Sequence, residues 1–239
     1  MKRLLNTLRE KWPEYVLEIL VITIGIYGAF ELNNYGQNKA QRKVEIEILK
    51  GCKTELMADL VDININLKDF EKSIQSLNLI IEVLENDGTY HDSLSSYFNY
   101  TLLPIHFVHS TSSFEMLKSK GLDIVSNQTI RGKLISLYDS QYELFLQAEK
   151  EELDEVQYGL RHMLSGRFES GFNFSESTFS GTMVPIDFES LKRDKEYLYF
   201  IKTQRNRTRS YIEYFYANLK NSVESMIHDL ELELNRLEP

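Results

Sequence analysis

The sequence predicts an all-α protein in which one N-terminal transmembrane helix continues into an antiparallel bundle, or coiled coil, of long helices. Three observations predict this fold: an apolar stretch near the N-terminus, a seven-residue repeat of apolar residues after it, and a scarcity of helix breakers. The 239 residues include only 4 Pro and 11 Gly, which favours long helices over sheets. A hydrophobic content of 42% is that of an ordinary globular protein.

The apolar stretch is the first of these observations. Residues 19–30 read ILVITIGIYGAF without a charge. The wider segment 15–32, interrupted only by Glu18 and Glu31, approaches the roughly 20 residues that a membrane span requires. Trp12, Tyr15 and Tyr35 lie near its ends, where amphipathic rings anchor at the lipid headgroups. We therefore predict a transmembrane helix over 14–34.

Charge assigns the two sides of this helix. Residues 1–13 carry four basic side chains and one acidic side chain, a balance of +3, while the whole chain has a net charge of −9. The remainder is therefore acidic, at −12, which argues against nucleic acid as a partner. Because basic residues precede the span, we predict that 1–13 is a cytoplasmic tail and that 35–239 is a helical domain on the other, extracytoplasmic side of the membrane.

Two other interpretations of the apolar stretch stay open. A basic start followed by a short apolar core is also typical of a cleaved secretory signal, but no small-x-small cleavage site follows, since the chain continues Glu31-Leu32-Asn33-Asn34. The stretch is also compatible with a buried helix of a soluble protein. The membrane span remains the favoured interpretation because of its length and its aromatic flanks.

Several residues of the span are candidates for contacts within the membrane. An ionisable group such as Glu18 is costly near the bilayer unless it reaches water or a partner, and small residues let helices approach closely. Candidate membrane or oligomer contacts are Glu18, Val21, Gly25, Gly28 and Ala29. The lipid bilayer and either a second copy or a larger membrane complex are the partners expected.

The seven-residue repeat predicts that the helix continues far beyond the span. One row recurs every seven residues from Leu49 to Leu84, and a second row offset by four residues lies beside it, as in a coiled coil or bundle. The candidate seam residues are Leu49, Leu56, Leu60, Ile63, Leu67 and Phe70. We expect one rigid helix from about residue 13 to 86, with Gly36 as the natural place for a bend.

The rest of the chain predicts further helices with one irregular segment. We expect helices over 92–101, from Phe114 to Gly121, over 128–164 and over 189–237. Residues 165–187 are rich in Gly, Ser and Phe, which indicates a loop or a small hairpin. Its aromatic rings either pack on the helices or form a partner-binding patch, with the candidates Phe168, Phe172, Phe174 and Phe179.

No catalytic motif is found, and we predict that the protein is not an enzyme. His106 and His109 form a close pair but lack further metal ligands, so structural roles are favoured over a metal site. Cys52 is the single cysteine, and a buried thiol is the expected state. The acidic run 149–155 predicts a solvated helix face, although the basic segment 202–209 offers it a partner. No cofactor is predicted.

The span reads E-I-L-V-I-T-I-G-I-Y-G-A-F-E-L-N-N from Glu18 to Asn34. It resembles the membrane segment of a family of single-span inner-membrane proteins of Bacteroidota that carry a domain of unknown function. The stretch from Ser113 to Gly121, with Asn127 and Arg131 after it, is similar to a second segment of that family. The sequence departs from the family pattern at Glu14, Tyr27 and Tyr35. The resemblance implies a bacterial inner-membrane protein, which would place the helical domain 35–239 in the periplasm, and it supplies no activity.

Two classes of function follow. The first is a membrane-anchored helical scaffold or accessory subunit that assembles with itself or with a larger membrane complex. The second is a periplasmic ligand-sensing or transport-associated module that acts through a partner, because a tail of about a dozen residues is too short to hold a signalling domain. A small homo-oligomeric channel is a third, weaker possibility that rests on Glu18 and the small residues of the span.

Overall fold

The computed structural model describes residues 2–175 and 178–238, and the side chains within them except those of 2–11, 170 and 172–180. The described chain is mostly helical, as predicted. Its helices are α1 (Lys2–Glu85), α2 (Leu94–Tyr100), α3 (Ser112–Lys120), α4 (Gln128–Ser136), α5 (Tyr142–Tyr158), α6 (Phe188–Arg193), α7 (Lys195–Tyr211) and α8 (Ala217–Leu237).

Helix α1 is a single element of 84 residues. It passes Gly36, where the sequence suggested a bend, without a break in the helix. It ends at Glu85, where Asp87 adopts a positive φ of 52° and the Gly88 amide bonds to the Val83 carbonyl at 2.9 Å. The apolar segment and the periodic segment therefore belong to one rod.

The predicted helix 128–164 is present with two π-helical turns in it. The first π turn (Leu137–Gln141) joins α4 to α5, and the second (Gly159–Met163) ends α5. Asn127 caps the start of α4, because its side chain accepts bonds from the amides of Thr129 and Ile130. π turns widen a helix locally and recur at functional sites.

The predicted helix 189–237 is interrupted twice. Asp194 has extended backbone angles and caps the start of α7 through a bond from the Tyr197 amide, so α6 is a separate short helix. A third π turn (Ile212–Tyr216) joins α7 to α8. Local capping chemistry at Asp194 explains the first break, because its carboxylate accepts an amide bond from the start of α7; Asp187 caps the start of α6 in the same way.

The irregular segment forms an antiparallel hairpin, one of the two structures expected for it. Strand β1 (Phe168–Ser175) pairs with β2 (Thr178–Pro185), with Phe168 opposite Pro185. The ring of Phe168 lies 5.0 Å from that of Phe98 and 5.4 Å from that of Tyr197. The base of the hairpin is therefore packed against the helices.

Helices α7 and α8 run antiparallel to the part of α1 that follows the apolar segment, and we call the direction along α1 from that segment towards Glu85 upward. Lys53 pairs with Glu231 near the lower end of this part, and Asn66 bonds to the hydroxyl of Tyr216 higher up. At the lower edge of the body, the Arg42 guanidinium donates to the carbonyls of Leu237 and Arg236 at the end of α8. This satisfies carbonyls that a helix end leaves without an intrahelical partner and fixes the body to α1 immediately after the apolar segment.

Candidate functional site

The apolar segment of α1 is uncovered by the rest of the chain. The most apolar 18 residues of this helix have a mean hydropathy of 1.7, and none of them is buried. Among the described helices, α1 is the one that is long and apolar enough to cross a membrane. Val21 is 63% exposed, and Glu18 and Ala29 are exposed too. Among the described residues, nothing lies within 4 Å of a Cβ built at Gly25 or Gly28.

The predicted seam lies in the interior of the body. Leu49, Leu56 and Ile63 are each 0% exposed and Phe70 is 5% exposed, while Leu60 and Leu67 pack against the same core cluster. Their neighbours in this cluster come from α3, α4, α5 and α8 of the same chain. The seven-residue pattern of α1 is therefore used for packing within the chain.

A row of carboxylates on α1 holds the connection between α2 and α4. Amide groups of that connection donate to Asp62 at 2.9 Å (from Val108), to Asp59 at 3.1 Å (from Ser110), to Glu55 at 3.1 Å (from Ser113) and to Glu45 at 2.7 Å (from Ser126). Buried amides need such partners. The four acids alternate with the apolar core residues of α1, a pattern that the sequence interpretation did not use.

The opposite face of α1 carries apolar side chains that no described residue covers. Met57, Val61 and Ile65 are 52%, 60% and 52% exposed. Their spacing of four residues places them on one face of the helix, away from the buried Leu56 and Ile63. We call these three residues the outward ridge. These three residues do not belong to either row of the seven-residue repeat.

A cluster of aromatic rings separates the remaining long helices. Phe145 of α5 lies 5.0 Å from Tyr216 and 6.0 Å from Tyr211, and Phe70 of α1 lies 5.2 Å from Tyr216. Rings of this size keep the helix axes apart more than aliphatic side chains do. On the side away from α1, they leave space between α4–α5 and α7–α8.

This space is a continuous groove, and we call it the α5–α8 groove. It consists of three cavities of about 780, 310 and 320 Å³ in a row, and the middle one shares lining residues with each of the other two. Leu144 and Tyr214 line its middle and are 59% and 66% exposed. The first and third π turns, each of which contributes residues to the lining, stand on opposite walls.

The upper end of the groove is polar and partly buried. The Glu152 carboxylate accepts a bond from Gln204 at 2.9 Å and pairs with Arg207 at 3.3 Å. Glu152 and Glu149 are each 8% exposed, so the solvated face expected for 149–155 is wrong for these two residues, whereas the predicted pairing with 202–209 is present. Burial raises the pKa of Glu149, whose carboxylate accepts the Phe107 amide at 2.6 Å.

Two polar atoms at this end have no hydrogen-bond partner among the described residues: Arg207 Nε and the Tyr211 hydroxyl. Tyr211 is 5% exposed, and burial raises the pKa of its hydroxyl. A cavity of about 10 Å³ lies beside Glu149, Gln204 and Tyr211, which is the space that one water molecule requires. The groove thus ends in two donors that have no partner in the part of the chain that the structure describes.

The structure describes the side chain of one of the four residues in the predicted aromatic patch, Phe168. Phe168 packs on the helices, as described above. The side chains of Phe172, Phe174 and Phe179 lie outside the described residues, and only their backbone pairing in the hairpin is given, with Phe174 opposite Phe179. The exposed patch proposed for these rings therefore stays a prediction.

The remaining candidates take structural positions. The His109 ring stacks on Phe107 at 5.1 Å, and the His106 carbonyl accepts a bond from Asn66 at 2.8 Å. Cys52 is buried, and burial raises the pKa of its thiol to about 12. In the part of the chain that the structure describes, no group of three or more His, Cys, Asp or Glu side chains is arranged to hold a metal ion.

Comparison of the chain with protein-family models, with curated proteins and with solved structures gives no match. The candidate site therefore rests on the geometry of this chain. Its parts are the uncovered apolar segment, the outward ridge of α1 and the α5–α8 groove. The ridge has a sequence signal in its four-residue spacing, whereas the groove depends on residues that are distant in the sequence and has none.

Proposed function

We propose that this protein is a membrane-anchored helical scaffold or accessory subunit, which assembles with itself or with a larger membrane complex. In this proposal residues 14–34 cross the inner membrane of a bacterium, 1–13 lie in the cytoplasm, and 35–239 form a helical bundle in the periplasm. The function is carried by surfaces, and no catalytic step is part of it.

The observation that carries the proposal is the unbroken α1. Side chains such as Ile19, Ile26 and Leu32 are 64%, 66% and 74% exposed, and uncovered apolar surface of this size needs lipid or protein around it. The same helix provides the core face of the body. A scaffold benefits from this construction, because a continuous helix holds the body at a fixed height above the membrane.

Complex mass tests the proposal directly. The full-length protein is purified in a mild detergent, its mass is measured by light scattering, and retained proteins are identified by mass spectrometry. A defined homo-oligomer or a stoichiometric partner is expected. A monomer that retains no other protein would contradict the scaffold and subunit proposal.

The orientation needs its own test, because Lys39, Arg42 and Lys43 follow the apolar segment and add positive charge on that side as well. Gln41 is exposed, so Gln41→Cys provides an accessible thiol, whereas the native Cys52 is buried. In cells whose outer membrane is permeabilised, a membrane-impermeant maleimide should label this variant and leave the parent chain unlabelled. Labelling only after the inner membrane is broken would reverse the orientation.

The α5–α8 groove favours the second candidate function, a ligand-sensing or transport-associated module. A cavity of about 780 Å³ that is lined by Arg207 and Tyr211, among others, has the size of a small-molecule site. Each of these two residues has a buried polar atom without a hydrogen-bond partner among the described residues. Solvent extraction of the purified protein, followed by mass spectrometry, tests it. A stoichiometric small molecule that is lost in Arg207→Gln and retained in Arg193→Gln, outside the groove, would support this candidate over the first.

A further inference from the structure

The α5–α8 groove and the outward ridge stand at matching heights above the apolar segment. Because α1 is unbroken, residue number along it measures height at about 1.5 Å per residue. The ridge occupies the levels of Met57 to Ile65. Contacts place the groove beside the same levels: Lys53 pairs with Glu231, and Asn66 bonds to Tyr216.

We propose that the outward ridge of one copy packs into the α5–α8 groove of a neighbouring copy in the same membrane. This inference rests on the proposed membrane anchoring. Spans in one bilayer lie at the same depth, so two parallel copies bring equal levels of their bodies side by side. The ridge then faces the groove, whose middle is lined by Leu144, Phe145 and Tyr214.

Shape and polarity agree with this occupant. The groove is an open channel between two long helices, and an amphipathic helix fits such a channel through residues spaced by three or four. Val61 and Ile65 supply that spacing. The lowest of the three cavities, of about 320 Å³, is lined in part by Ser222, Ser225 and Met226. These side chains are small or flexible enough to receive Met57.

Charge favours ridge against groove over ridge against ridge. Lys68 lies two turns above Val61 on the same face, and Lys43 lies five turns below it; both are exposed. A parallel pair of ridges would place each lysine against its own copy, which is repulsive. In the groove, Lys68 instead meets the exposed Glu213, which belongs to the third π turn at the levels of Asn66 and Phe70.

The contact joins two different surfaces of the chain. Such head-to-tail contacts produce a closed ring when the rotation between copies closes and an open row when it does not. In either assembly every copy uses both surfaces, except at the ends of a row. This is the behaviour expected of a scaffold.

Cysteine cross-linking tests the contact in membranes that contain the full-length protein. Ile65→Cys and Asn218→Cys are combined, because Asn218 lines the groove and is exposed, at about the level of Ile65. Cys52 remains, since it is buried. A short bis-maleimide should link copies into a ladder of dimers and higher species. Ile65→Cys with Glu143→Cys, an exposed residue of α5 that lies outside the groove, is the matched control and should give little product.

Four results would overturn the inference. Efficient linking of Ile65→Cys alone would indicate ridge against ridge. Equal linking of the groove pair and the Glu143 control would indicate random collision. Absence of a groove-specific product, while light scattering still gives a defined oligomer, would remove this contact and leave the scaffold proposal intact; a monomer by light scattering would remove both.

Charge reversal gives an independent test. Lys68→Glu should raise the dissociation constant of the assembly about three- to tenfold, and Glu213→Lys in the same chain should restore most of it. Lys150→Glu, at an exposed position of α5 outside the groove, should leave the constant unchanged. Failure of the double variant to recover would separate Lys68 from Glu213 and contradict the proposed contact.

Discussion

The Tyr142 hydroxyl donates a hydrogen bond of 2.6 Å to Asp59, which joins the start of α5 to the middle of α1. Asp59 is 1% exposed and Tyr142 is 2% exposed. The same carboxylate accepts the Ser110 amide at 3.1 Å. One buried acid therefore ties α1, α5 and the connection between α2 and α3 together.

Removal of this acid is expected to destabilise the body strongly. Asp59→Ala leaves the buried Tyr142 hydroxyl and the half-buried Ser110 amide without this partner, which costs about 2–4 kcal/mol. In detergent, the Tm of the full-length protein should fall by about 5–15 °C, as measured by circular dichroism. Asp154→Ala, at an exposed position of α5, is the control and should shift the Tm by less than about 2 °C. Equal shifts would contradict the role of Asp59.

Asp59 also predicts the sign of a pH dependence. Burial raises its pKa in the folded state, so the folded protein binds this proton more tightly than the unfolded chain does. Stability contributed by this site therefore falls as pH rises from about 4 through the folded-state pKa, and is constant above it. The Tm of the wild type minus that of Asp59→Asn should decrease over this range.

Glu233 provides a control of opposite sign. Its pairing with Arg236, together with the bond from Asn127, lowers the pKa of Glu233. A lowered pKa contributes stability above the unfolded value of about 4.3, and this stability is lost as pH falls. The Tm of the wild type minus that of Glu233→Gln should therefore decrease on acidification. The same sign of slope for both sites would contradict these assignments.

Two helical glycines are expected to respond oppositely to alanine. A Cβ on Gly132 meets nothing within 4 Å among the described residues, so Gly132→Ala should stabilise by about 0.5–1 kcal/mol. A Cβ on Gly51 would overlap Ser113 Oγ, which bonds to Glu55 at 2.9 Å. Gly51→Ala should therefore lower the Tm. A rise in both variants would show that Ser113 is free to move.

The continuity of α1 across Gly36 predicts a fixed distance. Spin labels at Asn33 and Thr54, both exposed, are separated by 21 residues of helix, or about 32 Å between backbone positions. Double electron–electron resonance spectroscopy in detergent should give one narrow distribution of distances between the labels near this value. Labels at Thr54 and Lys68, within the body, set the reference width. A broad or shorter distribution for the first pair alone would indicate a hinge at Gly36.

Burial within the acidic run could not be predicted from the sequence. Glu149, Glu152 and their neighbours form a charged run that is typical of a solvated face. The structure buries two of them, because the Phe107 amide and the Gln204 side chain supply bonds from segments more than 40 residues away. Periodicity assigns a helix to such a run, but partners decide which of its faces is inside.

The breaks in the later helices show a similar division. The end of α3 was predicted correctly, since Gly121, which has a positive φ of 105°, stops that helix locally. Its start was predicted near Phe114, whereas α3 begins at Ser112. The three π turns (Leu137–Gln141, Gly159–Met163 and Ile212–Tyr216) were not predicted. Nothing in the local sequence distinguishes these turns from a regular helix.

By itself, the sequence determined α1: the charge-free stretch 19–30 and the seven-residue repeat are local properties, and together they specify one long helix with an apolar end and a core face. The helix continues through Pro13 and Gly36, residues that disfavour the interior of a helix. Only the tertiary structure decided which surfaces remain uncovered. The α5–α8 groove arises from aromatic rings such as Phe145 and Tyr216 that hold two helices apart. The spacing between elements so far apart in the chain depends on side-chain packing, and local patterns carry no record of it.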